Sequence, residues 1–146
     1  LRDDYYSGNW TVSNLKDQLE DVSWKDATTQ VYDLNTIAIL TFHINYFVAA
    51  VIPVYEGGTL DAHDKFSFDC PAINSKEEWD KLKTEALQNA EKLSDLIEQQ
   101  NDDILSQDFV LEKYGSYYRN ILGLIEHTHY HLGQIAIVKK IIQQKK

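Results

Sequence analysis

The residues best suited to chemistry are concentrated in positions 126–134, EHTHYHLGQ, which contain three of the five histidines. At about 100° of rotation per helical residue, His127 and His131 share one helix face, while His129 points nearly the opposite way. The shared face also carries apolar residues, so it is expected to turn towards a core. A buried imidazole needs a partner, and two histidines one turn apart can bind one metal ion. This spacing predicts a metal site.

His43 is the third candidate ligand. It lies within residues 34–54, the most apolar run of the chain, on a stripe with Leu40 and Phe47. Three imidazoles meeting in an apolar interior favour a shared metal ion over three separate core partners, which is the alternative interpretation. Three neutral ligands leave positions open on the ion, as in reactive sites, where a bound water can ionise or a carbonyl can be polarised.

The residues around these histidines are less informative. Gln134, one turn beyond His131, is a candidate for contacting a ligand histidine or a substrate, with a surface glutamine as the alternative. Gly133 is expected to let a helix or a substrate approach closely, unless it is a tolerated helical glycine. Glu126 lies off the histidine face, so we identify no general base.

Other kinds of site have weaker support. A di-iron carboxylate site needs Glu-x-x-His on two helices. Glu126 and His129 form one such motif, but His43 is not part of a second one. Cys70 lies in an aspartate-bearing loop without an evident base, which favours an inert thiol over a nucleophile. His63 is most simply a solvated loop residue, although its loop could fold over the site.

Four helical segments are expected to position these residues. They are a kinked or broken helix over residues 12–31, an apolar helix over 34–54, an amphipathic helix from the Ser75 to Glu78 capping box to about Gln100, and a last helix from about Gly115 to Gln144. Lysines 139, 140, 145 and 146 suit the negative end of the last helix. With no convincing strand pair, this pattern predicts an all-α fold, a four-helix bundle, with residues 1–146 as one domain.

Two regions lack a regular period. Residues 1–10 contain a turn at Gly8, and Trp10 is expected to cover one end of the core. Residues 57–74 form a long loop that follows the helix carrying His43. We expect this loop to fold back as a lid over the metal site, with a mobile spacer as the alternative.

Composition limits the partners of the protein. A net charge of −9 and a pI near 4.9 argue against binding to nucleic acid or anionic lipid. His43, Asn45 and Pro53 interrupt the apolar helix, which argues against a membrane span. The single cysteine, Cys70, indicates no oxidising compartment, so we predict a cytoplasmic protein, and the lack of any Met suggests that leading residues were removed. The excess apolar surface of the second helix predicts a homodimer.

The single His43 within ILTFHI and the final His127-x-x-x-His131-x-Gly-Gln signature resemble the DinB/YfiT-like family of metal-dependent hydrolases. The resemblance covers essentially the whole chain. It implies a four-helix bundle, often dimeric, that holds a divalent metal such as nickel or zinc through His43, His127 and His131. Relatives include mycothiol-dependent maleylpyruvate isomerase and bacillithiol S-transferases, so a low-molecular-weight thiol is an implied co-substrate.

Two features depart from the family pattern. Many members have a second His and an Arg just before Gly-Gln, where this chain has Tyr130, His131 and Leu132, and the first bundle helix is short. The sequence therefore predicts an enzyme acting on a small-molecule substrate, either a hydrolase or a thiol S-transferase. A non-catalytic metal- or ligand-binding bundle and a purely structural bundle are the alternatives.

Overall fold

The computed structural model describes residues 1–145, which are 66% helical when 3₁₀ turns are included and contain six α-helices and no strand. The helices are α1 (Arg2–Tyr5), α2 (Leu15–Leu19), α3 (Trp24–Thr28), α4 (Ile37–Tyr55), α5 (Lys76–Glu98) and α6 (Tyr117–Gln144). Short 3₁₀ turns lie at Asp64–Phe66, Asp102–Ser106 and Glu112–Tyr114. The predicted all-α fold class is confirmed. Lys146, predicted at the basic end of the last helix, lies outside the described residues.

Side-chain caps fix where the long helices begin. The hydroxyls of Thr36, Ser75 and Ser116 accept hydrogen bonds from the backbone N–H groups three residues on, at the starts of α4, α5 and α6. At α5 the predicted capping box is displaced by one residue: the Glu78 carboxylate accepts from the N–H of Asn74 at 2.6 Å rather than from that of Ser75.

The core lies between α4, α5 and α6. Apolar side chains of all three helices are buried there, for example Ile44, Leu93 and Ile135, each at 0% exposure. The α4 helix contacts both other long helices, which explains why its sequence is apolar around most of its circumference. This packing places the middle of α4 against the middle of α6.

The N-terminal region follows its prediction in part. The helix predicted over residues 12–31 is broken, as expected, into the two short helices α2 and α3, which are joined through Val22, and the Val22 carbonyl accepts a hydrogen bond from the Trp79 indole at 2.8 Å. Trp10, predicted to cover the core, is fully exposed, so that prediction is wrong. The turn at Gly8 is present with φ +109°, a conformation that favours glycine.

The short helix α1 was not predicted. Its Tyr5 is completely buried, and its Arg2 guanidinium forms ion pairs with three carboxylates of α5, those of Glu91, Asp95 and Glu98. Sequence periodicity cannot identify a helix of one turn, because such a helix depends on tertiary contacts rather than on its own propensity.

Among the described residues, α4 is the one helix long and apolar enough by length and composition to cross a membrane. A core helix passes the same test, and 56% of the apolar stretch of α4 is buried by the rest of the chain.

Candidate metal centre

Three histidines from two helices meet at one point of the fold. His43 lies in the middle of α4, while His127 and His131 lie one turn apart on α6. One ring nitrogen from each lies within 4.8 Å of the others, and His43 and His131 are buried while His127 is half-buried. The structure therefore brings together the three residues that the sequence singled out, and they could hold a metal ion.

The His43 ring is oriented by the loop that follows its helix. Its Nδ1 lies 3.1 Å from the carbonyl oxygen of Ser67, and a carbonyl can only accept a hydrogen bond, so Nδ1 carries the proton. The neutral ring then has its lone pair on Nε2, which lies 2.9 Å from Nε2 of His127. A backbone oxygen bound to Nδ1 is a common way to fix the tautomer of a metal-ligating histidine.

The His131 ring is oriented from its own helix. Its Nδ1 lies 2.8 Å from Oε1 of Gln134, so His131 Nδ1 donates and its Nε2 also keeps a lone pair. This contact is the one that the sequence suggested for Gln134. Two of the three rings are thus held by a partner at Nδ1, with Nε2 left as an electron-pair donor.

The arrangement fits one transition-metal ion. Imidazole nitrogens bind zinc at about 2.0–2.1 Å, so the Nε2 atoms of His43 and His127, 2.9 Å apart, are close enough that both could bind one ion. The widest pair, at 4.8 Å or less, has to close by about 1.5 Å to reach the separation of two neighbouring ligands. An all-imidazole set suits zinc, nickel, copper or iron rather than calcium or magnesium, which prefer oxygen ligands.

The local environment favours the neutral form of two of the rings, those of His43 and His127. Burial, reinforced by repulsion from the His131 and His43 rings, lowers the pKa of His127 to about 4. Burial also lowers the pKa of His43, against a smaller opposing effect of its hydrogen bond to Ser67. Neutral imidazoles have free lone pairs at physiological pH, so the metal does not have to displace protons from these two rings.

The loop of residues 57–74 folds back over the site, as predicted. The Phe68 ring stacks on His43 with centroids 3.8 Å apart and planes 10° from parallel. The loop is anchored at a second point, because the Tyr46 hydroxyl donates to the carbonyl of His63 at 3.1 Å and accepts from its N–H at 2.9 Å. The loop thus supports a candidate ligand as well as covering it.

A cavity of about 1170 Å³ opens beside the three histidines. Its walls come from α4, the loop, the start of α6 and the connection before α6. His63 and Asp64, two titratable residues of the loop, both lie on its wall. Such a volume is sufficient for a small organic molecule.

Sequence reasoning missed several residues of this cavity. Phe109, only 2% exposed, comes from a connection without periodicity. Arg119, Asn120 and Gly123 lie one and two turns before His127 on α6. The helical spacing that identified the histidine pair, extended towards the start of the helix, would have found these three.

Other candidate residues have different roles. His129 lies on the opposite side of α6, where its Nε2 is 2.8 Å from a carboxylate oxygen of buried Asp4. Glu126 is exposed and lies 3.6 Å from Arg119. A Cβ on Gly133 would meet no described atom within 4 Å, so the expected close approach of a helix there is wrong. Burial raises the pKa of Cys70, consistent with an inert thiol.

No family model, curated protein or solved structure matches this chain. The interpretation of the site therefore depends on the geometry of the three histidines and the cavity beside them. The resemblance to the DinB/YfiT-like family stays a prediction from the motif.

Proposed function

We propose that this protein is a metal-dependent enzyme, a hydrolase or a thiol-dependent S-transferase, that acts on a small molecule in the cavity beside the three histidines. One divalent transition-metal ion, zinc or nickel, is held by His43, His127 and His131. The observation that carries this proposal is the convergence of one ring nitrogen from each of the three histidines at the wall of an open cavity, where the Nδ1 atoms of His43 and His131 also have hydrogen-bond partners.

An ion held by three neutral ligands keeps its full charge, so it can lower the pKa of a water or thiol or polarise a carbonyl. The chain supplies the positioning. Ser67 and Gln134 hold two rings in one tautomer, and Phe68 covers His43 on the side of the loop. His63 and Asp64 are the groups on the cavity wall that could move a proton at the substrate.

The finer predictions belong to the same proposal. We assign the chain to a DinB/YfiT-like four-helix bundle in which the N-terminal short helices take the place of one long helix. The absence of other matches leaves the final His-x-x-x-His-x-Gly-Gln motif as the support for this assignment. A low-molecular-weight thiol as co-substrate follows from this assignment. The single cysteine supports a cytoplasmic location, and the acidic charge disfavours nucleic acid as a partner.

The first test is elemental analysis of the untagged chain, purified without added metal. The proposal expects close to one zinc or nickel per chain, and loss of that metal in His127→Ala. Screening the loaded protein against ester substrates, and against thiols paired with electrophiles, then separates the hydrolase from the transferase. Absence of stoichiometric metal, even after loading with zinc and nickel, would refute the proposal.

The alternative is a non-catalytic bundle that stores or senses a metal or small ligand. It shares the metal prediction, but it expects no turnover that depends on the metal in either screen. The observation in favour of this alternative is that we identify no general base on the helices. A reaction with zinc that stops in His131→Ala would exclude it.

We also propose a homodimer. The support is α4, where apolar side chains including Ile39, Phe42 and Ala49 stay half-exposed although the helix packs against both other long helices. Surface of this kind is often covered by a second copy. Sedimentation equilibrium at micromolar concentration is expected to give twice 16.9 kDa, and a single species at 16.9 kDa would contradict the dimer.

A further inference from the structure

A cationic side chain lies along the cavity wall on the same helix as two of the candidate metal ligands. Arg119, Gly123 and His127 follow one another at intervals of four residues on α6, and all three line the cavity. At about 1.5 Å of rise per residue, successive members are about 6 Å apart along the helix axis. The three positions form a stripe that leads from the start of the helix to the histidine cluster.

The Arg119 side chain extends along this stripe towards the histidines. A Cβ placed on Gly123 would lie 3.6 Å from Nη1 of Arg119, so the guanidinium reaches one turn forward from its own backbone. Its charge is thus at the level of Gly123, about one helical turn from His127. The missing side chain at Gly123 leaves the path between the two groups open.

The guanidinium has donors available for a ligand. Among the described residues its one ion pair is with Glu126, at 3.6 Å from Nη1, which is longer than the 2.7–3.2 Å of an N–H···O hydrogen bond. The Arg119 side chain is 65% exposed, so a molecule in the cavity can reach it. A carboxylate that accepts two N–H groups would make a better contact than the one Glu126 makes.

The charge around the cavity supports an anionic ligand. The chain as a whole carries −9, yet the cavity wall contains two cations, Arg119 and Lys65, against one carboxylate, that of Asp64. Glu126, beside Arg119, brings the count to two cations and two carboxylates, so the region of the cavity is neutral overall. In a protein with a net charge of −9, a neutral region with an available guanidinium repels an anion less than most of the surface does.

From this geometry we propose that the cavity selects small molecules that carry a carboxylate, and that Arg119 binds this carboxylate while the other end of the molecule lies at the three histidines. The proposal rests on the proposed function and adds the substrate class to it. The distance of about one helical turn sets the length of the molecule, with a few carbon atoms between the reacting group and the carboxylate.

The test compares two ligands of equal length on the zinc-loaded full chain. Adipic acid monohydroxamate has a metal-binding hydroxamate at one end and a carboxylate at the other, and its terminal primary amide is the neutral counterpart. Isothermal titration calorimetry near neutral pH measures both affinities. We expect the carboxylate to bind about tenfold more tightly, since a charge-assisted contact of an exposed arginine contributes on the order of that ratio.

Two variants identify the origin of this preference. Arg119→Gln is expected to bring the two ligands to nearly equal affinity, and Glu126→Gln to increase the affinity for the carboxylate about threefold by removing a competing anion. Lys81→Gln is the matched control, because Lys81 is exposed and lies 3.7 Å from Glu85 on α5, away from the cavity. It removes the same charge and is expected to keep the preference.

Elemental analysis of each variant separates the possible failures. If the wild type holds zinc but binds both ligands equally, or if Arg119→Gln keeps the full preference, the anion site is refuted while the metal site stands. If the wild type holds no zinc, the proposed function fails, and this inference fails with it.

Discussion

The two sides of α6 use histidine in opposite ways. On one side, His127 and His131 face another histidine and a cavity, and their neighbours provide no carboxylate within hydrogen-bond distance among the described residues. On the other side, His129 lies 2.8 Å from a carboxylate oxygen of Asp4, which is 3% exposed. Three histidines within five residues thus divide between a candidate metal site and a structural contact.

The partner of each ring accounts for this difference. The Nε2 of His129 contacts the Asp4 carboxylate. This contact links α6 to α1 and gives one oxygen of the buried acid a partner. His131 uses Nδ1 for the neutral amide of Gln134, so its Nε2 keeps a lone pair for a metal. Residue type alone therefore does not mark a ligand. The atom that the surrounding structure leaves free decides the role.

The largest expected effect comes from removing a candidate ligand. His43→Ala, His127→Ala and His131→Ala are each expected to abolish stoichiometric zinc or nickel binding, because two imidazoles hold an ion far less tightly than three. His129→Ala is expected to keep the metal but to lower the free energy of unfolding by about 1–3 kcal/mol, since the buried Asp4 oxygen loses its partner. Elemental analysis and urea denaturation measure the two effects.

The assignment of different roles to the two sides would be contradicted if His129→Ala lost metal as completely as His131→Ala. It would also fail if His127→Ala destabilised the metal-free fold as much as His129→Ala did.

The next effect concerns the loop. Deleting residues 60–69 removes Ser67 and Phe68, which both hold His43, so we expect metal affinity to fall about 10–100-fold with the fold retained. Phe68→Ala is expected to reproduce a smaller part of this loss. Phe66→Ala is the control, because the two phenylalanines are 45% and 44% exposed but the Phe66 ring contacts His63 instead of His43.

Competition with a chromophoric chelator measures these affinities. Equal losses of metal affinity in Phe66→Ala and Phe68→Ala would show that the loop acts as a general cover and does not orient His43.

Gln134 is expected to have a smaller effect. Gln134→Leu removes the acceptor of the His131 Nδ1–H and is expected to weaken metal binding about tenfold. Gln134→Glu restores an acceptor at the same position and is expected to recover most of the affinity. If both variants bind the metal like the wild type, Gln134 is a surface residue and does not position His131.

The smallest effect is a dependence of stability on pH in the metal-free protein. The pKa of His127 is lowered to about 4 from 6.5, so the unfolded chain binds more protons than the folded chain between these values. The free energy of unfolding is therefore expected to be highest above pH 6.5 and to fall towards pH 4, by about 1–2 kcal/mol after allowance for solvent screening of a half-buried ring.

Denaturant titrations of the metal-free protein from pH 7 to pH 4 measure this slope. The His127→Gln variant provides the control, since it is expected to lose much of the pH dependence. A wild-type curve that stays flat over this range would contradict the lowered pKa.

Sequence by itself determined the long helices and the three candidate ligands. The apolar pattern of α4, the serine cap of α5 and the four-residue interval between His127 and His131 are local features, and the helical period converts the spacing of residues into helix faces. The inward direction of His43 also followed from its own helix, through the stripe that it shares with Leu40 and Phe47.

Only the tertiary structure decided what surrounds those ligands. The Ser67 carbonyl and the Phe68 ring reach His43 across 24 and 25 positions of the chain, and Asp4 reaches His129 across 125. Phe109 and the one-turn helix α1 are placed by packing rather than by any period of their own. Contacts between distant, irregular segments leave no local pattern, so periodicity predicted the ligands but not the groups that orient them.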